Sequence, residues 1–395
     1  QLPRPPGGQR HRHDGGAMTA APADPVLSRA ERLSRVRDAM REAGVDALLL
    51  SLGADLPWLT GYEAMPLERI TMLVLPADDE ATLVVPALEA PRVAHDSRLF
   101  ALRPWRETED PMALIAALVG SRGELGVSDR AWAVHVLALQ AALGGARLRP
   151  ASSVTSSLRA VKDPNEIAAL RAAGAAADRV AAALLGGDIP LIGRTEASVS
   201  KEVAARLVAE GHDKVNFAIV GSGPNSASPH HEPGGRVIGP GEPVVCDFGG
   251  ALHLDDTVGY CSDITRTVVT GEPDPEFAAL YSVLEAAQAR AVEAATVGVT
   301  CESVDAAARV PITDAGYGEA FIHRTGHGIG IEEHEDPYLV TGNRTSLRPG
   351  HAFSVEPGIY LGGRFGARIE DIVVATVDGP LRCNVADHSL RVVDA

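Results

Sequence analysis

Residues 244–250 read VVCDFGG, residues 260–267 read YCSDITRT, and residues 367–372 read ARIEDI. Each sets one carboxylate, Asp247, Asp263 or Glu370, within a run of apolar and β-branched residues that reads as a buried strand. Residues 353–358, FSVEPG, do the same with Glu356. A carboxylate pointing inward from a strand is costly unless something positive meets it. Only two arginines, Arg266 and Arg368, stand close to these acids in the sequence. The four carboxylates are therefore underpaired by the chain's own cations, which points to bound metal. Two divalent ions would neutralise their charge. A ligand set dominated by carboxylates suits Mn(II), Fe(II) or Co(II), whereas a structural zinc site would want Cys or more His. Two metals sharing carboxylates would also hold and ionise a bridging water, the usual nucleophile of metal-assisted hydrolysis.

The histidines nearby need separate treatment. His323 and His327 in HRTGHGIGIEEHEDP (323–337) have the spacing of a helical zinc pair. Gly326, Gly328 and Gly330 argue against a helix there, so that reading fails. His327 is better seen as a metal ligand on a Gly-flanked backbone that permits close approach. His334 in the same window and His230 in SPHHEPGG (228–235) are candidate proton donors or substrate contacts. Taken singly, each of these groups reads as a solvated or satisfied residue, and only their combination carries the argument. Alternation along ARIEDIV puts Arg368 and Glu370 on one face and Asp371 on the other. Arg368 is thus placed to orient Glu370, and Asp371 is expected to be structural.

Outward from these windows the chain divides in two. A helical pattern from Ser28 to Ala43, stopped by Gly44, leads into strand-like VDALLLS, TMLVLP and ATLVVP. Helical segments near 110–120 and 131–142 flank a short strand, ELGV. This alternation predicts an α/β domain over 25–155. The Ser-, Thr- and Pro-rich stretch RPASSVTSSLRAVKDPNE (149–166) reads as the boundary, and a second domain is expected over 160–395. It opens with an Ala-rich helix after Pro164 and another running from a Thr195 cap to Gly211. Residues 1–24 lack periodicity and read as a disordered leader, with Met18 as a natural start and His11 and His13 as part of a floppy tail. No repeat is visible by sequence identity.

Bulk properties narrow the class. In 395 residues Asp plus Glu outnumber Lys plus Arg by 52 to 36, a net charge of −16 that argues against nucleic-acid or anionic-membrane partners. No apolar run approaches the ~18 residues needed to span a bilayer, and the leader has no apolar core of a secretory signal. Cys246, Cys261, Cys301 and Cys383 form no CxxC pair and no disulfide framework, so reduced thiols and a cytoplasmic protein are expected. Cys246 and Cys261 read as packing residues.

Taken in order, the strings IVGSGPNSASPHH, CDFGG, GYCSDITRTVVTGEPD, HRTGHGIGIEEHEDP, FSVEPGIY and ARIEDIVV resemble the pita-bread metallopeptidases. That group comprises methionine aminopeptidase, aminopeptidase P, prolidase and the metal-free creatinase. The leading domain, with LTGY at 59–62, is similar to that of the prolidase, aminopeptidase P and creatinase branch. The resemblance implies an α+β chain, with a C-terminal pita-bread fold preceded by a creatinase-type α/β domain. It further implies that Asp247 binds one metal, Asp263 and Glu370 bridge two, and His327 and Glu356 complete the second. His230 and His334 match the family's two substrate-contacting histidines, and Arg368 matches the arginine before the last ligand.

Two departures stand out. Asp263 follows Asp247 by 16 residues, longer than the family's usual hairpin, with the excess in GGALHLDDTVG read as a loop at the site edge. Asp255 or Asp256 could replace Asp247 there, although CDFGG matches better. His231 follows His230 where a small residue is common, leaving open which of the two is catalytic.

The expected activity is hydrolysis of the bond before proline, as a prolidase-like Xaa-Pro dipeptidase, by a metal-bridging hydroxide with Glu356 as proton carrier. Mn(II) is the expected ion, with Co(II), Fe(II) or Zn(II) as alternatives, and the expected partners are a peptide with proline at its second position and a second copy of the chain. The alternatives are an Xaa-Pro aminopeptidase acting on longer peptides, a metal-free creatinase-like amidinohydrolase, and a non-catalytic binding module.

Overall fold

The computed structural model describes residues 27–254 and 258–394. The leader at 1–24 and the alternative ligands Asp255 and Asp256 lie outside the described residues. Among those described, no helix is long and apolar enough to cross a membrane.

The N-terminal half runs α1 (Arg29–Ala43), β1 (Ala47–Leu50), α2 (Asp55–Thr60), β2 (Met72–Pro76), β3 (Thr82–Pro86), β4 (Ala101–Trp105), α3 (Pro111–Val119), β5 (Glu124–Val127), α4 (Ala133–Ala142), β6 (Arg147–Pro150) and α5 (Ser152–Arg159). Its six strands form one mixed sheet in the order β4-β3-β2-β1-β5-β6. Period-two alternation sorts the core: Leu48, Leu50, Leu73 and Leu75 pack to one side, Ala47, Leu49, Met72 and Val74 to the other. Both faces are thus covered by helices, which is why these strands are apolar throughout. Helix α1 begins on a capping box, in which the Glu31 amide donates to Ser28 Oγ and the Ser28 amide to Glu31 Oε2, and ends at Gly44 in the left-handed conformation. Within the boundary stretch, residues 152–159 are helical, with Val154 and Thr155 buried. Tertiary packing overrides a Ser/Thr-rich composition there.

The C-terminal half contains α6 (Pro164–Leu185), α7 (Glu196–Ala209), β7 (Lys214–Ser222), β8 (Pro243–Leu252), β9 (Tyr260–Thr270), α8 (Pro275–Ala294), α9 (Cys301–Asp314), β10 (Gly326–Gly328), β11 (Glu335–Leu339), β12 (Ala352–Val355), β13 (Gly358–Leu361), β14 (Phe365–Arg368), β15 (Asp371–Thr376), β16 (Gly379–Arg382) and β17 (Arg391–Val393). One sheet is ordered β17-β9-β8-β7, another β11-β10-β12-β15-β16, with β13-β14 a separate ribbon. Each larger sheet has its own pair of helices behind it. Val244, Cys246, Phe248, Ile264 and Val268 pack on α6 and α7, and Phe353, Val355, Val373 and Ala375 pack on α8 and α9.

The order helix, helix, strands therefore occurs twice, although sequence identity shows no repeat. Both second helices even begin alike: Thr195 Oγ1 accepts from the Ser198 amide at 3.2 Å, and Thr300 Oγ1 from the Ser303 amide at 3.3 Å. Each of these threonines also forms an isolated bridge, to Val237 and to Ser346.

Residues that face away from the helices line the space between the two sheets. Alternation along β8 and β9 sends Asp247, Asp263 and Thr265 inward, opposite to Cys246, Ile264 and the helix side. An isolated bridge, Thr265 to Glu370, joins the sheets.

Candidate metal centre

Asp247, Asp263, His327, Glu356, Glu370, His230, His334 and Arg368, all named from the sequence, line one cavity of about 530 Å³. Donor atoms of Asp263, His327 and Glu370 lie within 4.8 Å of one another. Asp247, Asp263 and Glu370 are all less than a tenth exposed, and each keeps one carboxylate oxygen without a hydrogen-bond partner: Asp247 Oδ1, Asp263 Oδ1 and Glu370 Oε1. Buried acceptors left unpaired are costly, and three in one cavity fit a cation between them.

Their electrostatics agree. Burial first, then the neighbouring carboxylates, hold Asp263 and Glu370 well above the ordinary range. Burial, reinforced by Asp247, raises Glu356 to about 7, although Arg368 and a 3.1 Å hydrogen bond from Ser354 Oγ pull the other way. Without a cation these acids tend to keep protons rather than stand charged beside one another.

His327 has the geometry of a neutral ligand. Its Nδ1 lies 3.1 Å from the Gly328 carbonyl, which places the proton on Nδ1 and leaves the Nε2 lone pair facing Glu356 Oε1 at 3.2 Å and Asp263 Oδ2 at 3.7 Å. Burial, with His334 second, lowers its pKa to about 3, so its contact with Glu356 is not an ion pair. The flanking glycines have a steric cause: a Cβ on Gly326 or Gly328 would run into the backbone carbonyl of Ser354 or Asp336. The strand is squeezed between neighbours, so His327 alone projects into the site.

Arg368 orients a different acid from the one expected. Its Nη2 donates to Asp247 Oδ2 at 2.5 Å, while Nε donates at 3.0 Å to Thr265 Oγ1, which in turn donates to Glu370 Oε2 at 2.7 Å. Same-face placement was right, but the guanidinium reaches past Glu370 and acts on it through a threonine. Arg266 reaches neither carboxylate, although its Nη1 donates to the Glu370 backbone carbonyl at 2.7 Å. It pairs with Asp371 at 2.8 Å on the opposite face, where Gln288, Arg382 and His388 also reach that carboxylate.

The two adjacent histidines part company. His230 opens into the cavity, its turn fixed by Arg368, which donates to the Pro229 carbonyl at 3.2 Å. His231 turns back, its Nε2 2.7 Å from the fully buried Glu196. The His334 ring lies against His327, centroids 4.0 Å apart. The long hairpin stays paired as far as Leu252 and Tyr260, and His253, Val258 and Gly259 beyond that pairing line a second cavity against the N-terminal half rather than the acid cluster.

Several cavity residues were not anticipated. Arg368 Nη1 donates to the Tyr360 hydroxyl at 2.8 Å, which donates to His323 Nε2 at 3.0 Å, and His323 Nδ1 lies 2.7 Å from the Arg324 carbonyl. His323 thus serves this relay from a loop rather than from a helix. Burial, with Arg368 second, lowers it to about 4, and burial pushes Tyr360 up to about 12. Phe217, Ile219 and Ile322 give the cavity an apolar wall. Alternation along β7 was the one signal that could have drawn attention to Phe217 and Ile219. All four cysteines are buried and free, and burial, with Asp247 second, pushes Cys246 up to about 12.

Comparison with known proteins follows the same outline. The creatinase/prolidase N-terminal domain matches residues 32–161 and metallopeptidase family M24 matches residues 168–377. The chain is 46% identical over 368 residues to a probable dipeptidase PepE of Mycobacterium tuberculosis, covering 92% of this chain and 96% of that one. It is 36% identical over 373 residues to an Xaa-Pro dipeptidase of Lactobacillus helveticus, covering 91% and 98%. A crystal structure of prolidase from Thermococcus sibiricus superposes with a TM-score of 0.86 at 36% identity, covering 93% of this chain and 99% of that one. With its acid cluster between two helix-backed sheets and both family patterns in sequence order, this chain belongs to metallopeptidase family M24, in its pita-bread, prolidase-like branch.

Proposed function

We propose that the protein is an Xaa-Pro dipeptidase that works with two divalent cations, Mn(II) by preference. Asp247, Asp263, His327, Glu356 and Glu370 would hold them. The observation that carries this reading is the convergence of three unpaired carboxylate oxygens and a neutral imidazole nitrogen in one cavity. The cavity's 530 Å³ lies in the range of small-molecule sites, and curated relatives bear the name Xaa-Pro dipeptidase.

When bound, the cation pair supplies Lewis-acid polarisation of the scissile carbonyl and acidifies the attacking water. The chain's own residues do the rest. Glu356 accepts the proton of the attacking water and delivers it to the proline nitrogen as the C–N bond breaks, leaving a free carboxylate and free proline. His230 and His334 face the cavity from opposite chain segments and donate hydrogen bonds to the developing oxyanion and the substrate termini. Arg368 keeps Asp247 oriented directly and Glu370 by way of Thr265. The Xaa-Pro nitrogen carries no hydrogen, so the leaving side needs an apolar wall rather than an acceptor, and Phe217, Ile219 and Ile322 provide one.

The test is metal analysis of the purified protein together with an assay on Xaa-Pro dipeptides, Xaa-Pro tripeptides and matched dipeptides lacking proline. About two divalent ions per chain and cleavage confined to Xaa-Pro dipeptides are expected. Less than about one ion per chain under metal-replete conditions, with no cleavage, would overturn the reading. Equal turnover of tripeptides would replace the dipeptidase with an aminopeptidase.

A further inference from the structure

His334 sits at the end of the bend between β10 and β11, and its ring rests on His327. Among the described residues its side chain makes no hydrogen bond, so its place in the cavity is set by the backbone that carries it. That backbone is gripped from outside the catalytic half. Glu335, the next residue, is buried, and its carboxylate is taken by Arg159 Nη2 at 2.5 Å and by Lys162 Nζ. Arg159 is itself held by Asp55 at 2.8 Å, whose other oxygen accepts from Thr155 at 3.0 Å. Two residues before His334, Glu332 accepts from the Ala54 amide at 3.2 Å and from Arg130 at 3.1 Å. These holding groups come from the start of α2, the connection between β5 and α4, α5 and the segment after it, 173 and 176 residues from Glu335 for Lys162 and Arg159.

We propose that the N-terminal half positions a cavity histidine: Arg159 and Lys162, closing on Glu335, fix the bend so that His334 stands against His327. The three are positioning residues for the peptidase, and the role of His334 itself rests on the function proposed above. Simple seating of one half on the other does not need this cluster. Arg32 to Asp163 at 2.8 Å and Trp58 Nε1 to Glu166 Oε1 at 3.1 Å already join the halves away from the cavity. Both arms of the cluster instead converge on the residues flanking His334. Glu335 stays ionised despite burial, because Lys162 and Arg159 outweigh the desolvation.

The test is a double-mutant cycle of Glu335→Gln and His334→Ala, with metal content and unfolding midpoint recorded for each variant. Glu335→Gln should lower kcat by roughly 10–100-fold, the scale of a small misplacement at a reacting centre, while bound metal stays at the wild-type level. In the His334→Ala background the same change should cost less than about twofold, because the group being positioned is gone. Full multiplication of the two losses would mean that Glu335 acts elsewhere and would overturn the proposal. A second readout needs no turnover: the His334 imidazole proton signal, identified by its loss in His334→Ala, should shift or broaden in Glu335→Gln. An unmoved signal overturns the proposal even if the enzyme proves inactive on Xaa-Pro dipeptides, an outcome that would sink only the proposed function. Should Glu335→Gln not fold, Arg159→Lys keeps the charge, loses the fork, and enters the same cycle.

Discussion

Replacing Asp263 with Asn should push stability in opposite directions in the two metal states. In the metal-free protein Asp263 and Glu370 place carboxylate oxygens within 4.8 Å, where ionising both would cost about 3 kcal/mol at an effective dielectric near 20, a cost met either as repulsion or as the uptake of a proton. The displacement of Glu356 from 4.5 to about 7, caused first by burial and then by Asp247, shows that holding a further charge in this cavity costs a similar amount, about 3 kcal/mol above pH 7. Asn keeps the shape, removes the charge and brings an amide donor to the unpaired oxygens. With an unfolding entropy of roughly 2.1 cal/mol/K per residue, a relief of about 3 kcal/mol in a chain of this length raises the midpoint by about 4 °C. The assay is thermal unfolding at pH 8, first in excess chelator and then in saturating Mn(II). The variant should melt about 4 °C above wild type in chelator. In Mn(II) the wild type should rise, as ligand linkage requires, and the variant should not. A variant that melts below wild type in chelator would make Asp263 an ordinary structural residue. Retained metal and turnover would remove it from the ligand set.

Other expectations follow from the same geometry. Asp371→Ala should cost about 3–5 kcal/mol in urea unfolding, because it strands the buried Arg266 guanidinium, and a loss under about 1 kcal/mol would contradict the pairing. The metal-free protein should lose stability as pH climbs from the ordinary carboxylate range through about 7, where Glu356 ionises, since Glu356, Asp263 and Glu370 all titrate higher folded than unfolded. Metal binding must displace those protons, so calorimetry in buffers of different ionisation enthalpy should show proton release on Mn(II) binding at pH 6–7, and none would refute the coupling. His230→Ala should cut kcat by about 10²-fold or more, whereas His231→Gln, which can still hydrogen-bond Glu196, should stay within about fivefold. The reverse order would exchange their roles.

Much of the site could be read from sequence because period-two alternation is strict in buried strands. It separated Glu370 from Asp371 and placed Asp247 and Asp263 inward. The same rule also sends Arg266 away from Asp263, three positions earlier, so nearness in sequence does not make it a partner for that acid. Long-range facts were not legible. Nothing local says that Thr265 of β9 bridges Glu370, or that Arg368 passes one acid to reach another 121 residues away. His323 was set aside when the helix reading failed, yet a hydrogen bond to its neighbour's carbonyl aims the ring from a loop. Helix α5 was hidden by composition, because its stability comes from what it packs against.

The doubled order of two helices and their strands has a consequence for how such a centre could arise. The first set carries Asp247 and Asp263, and the second carries His327, Glu356 and Glu370. Neither set alone supplies the five donors proposed above for two cations. A single ancestral copy could enclose a two-sided cavity only by pairing with itself, and symmetry would then have forced the same donors onto both sides. A strand pair that offers two carboxylates, opposite a set that adds an imidazole to its acids, is open to sets that are joined in one chain and free to differ. Covalent linkage frees the two sets from matching each other, so one can bring a neutral nitrogen to the cavity where the other brings two carboxylates.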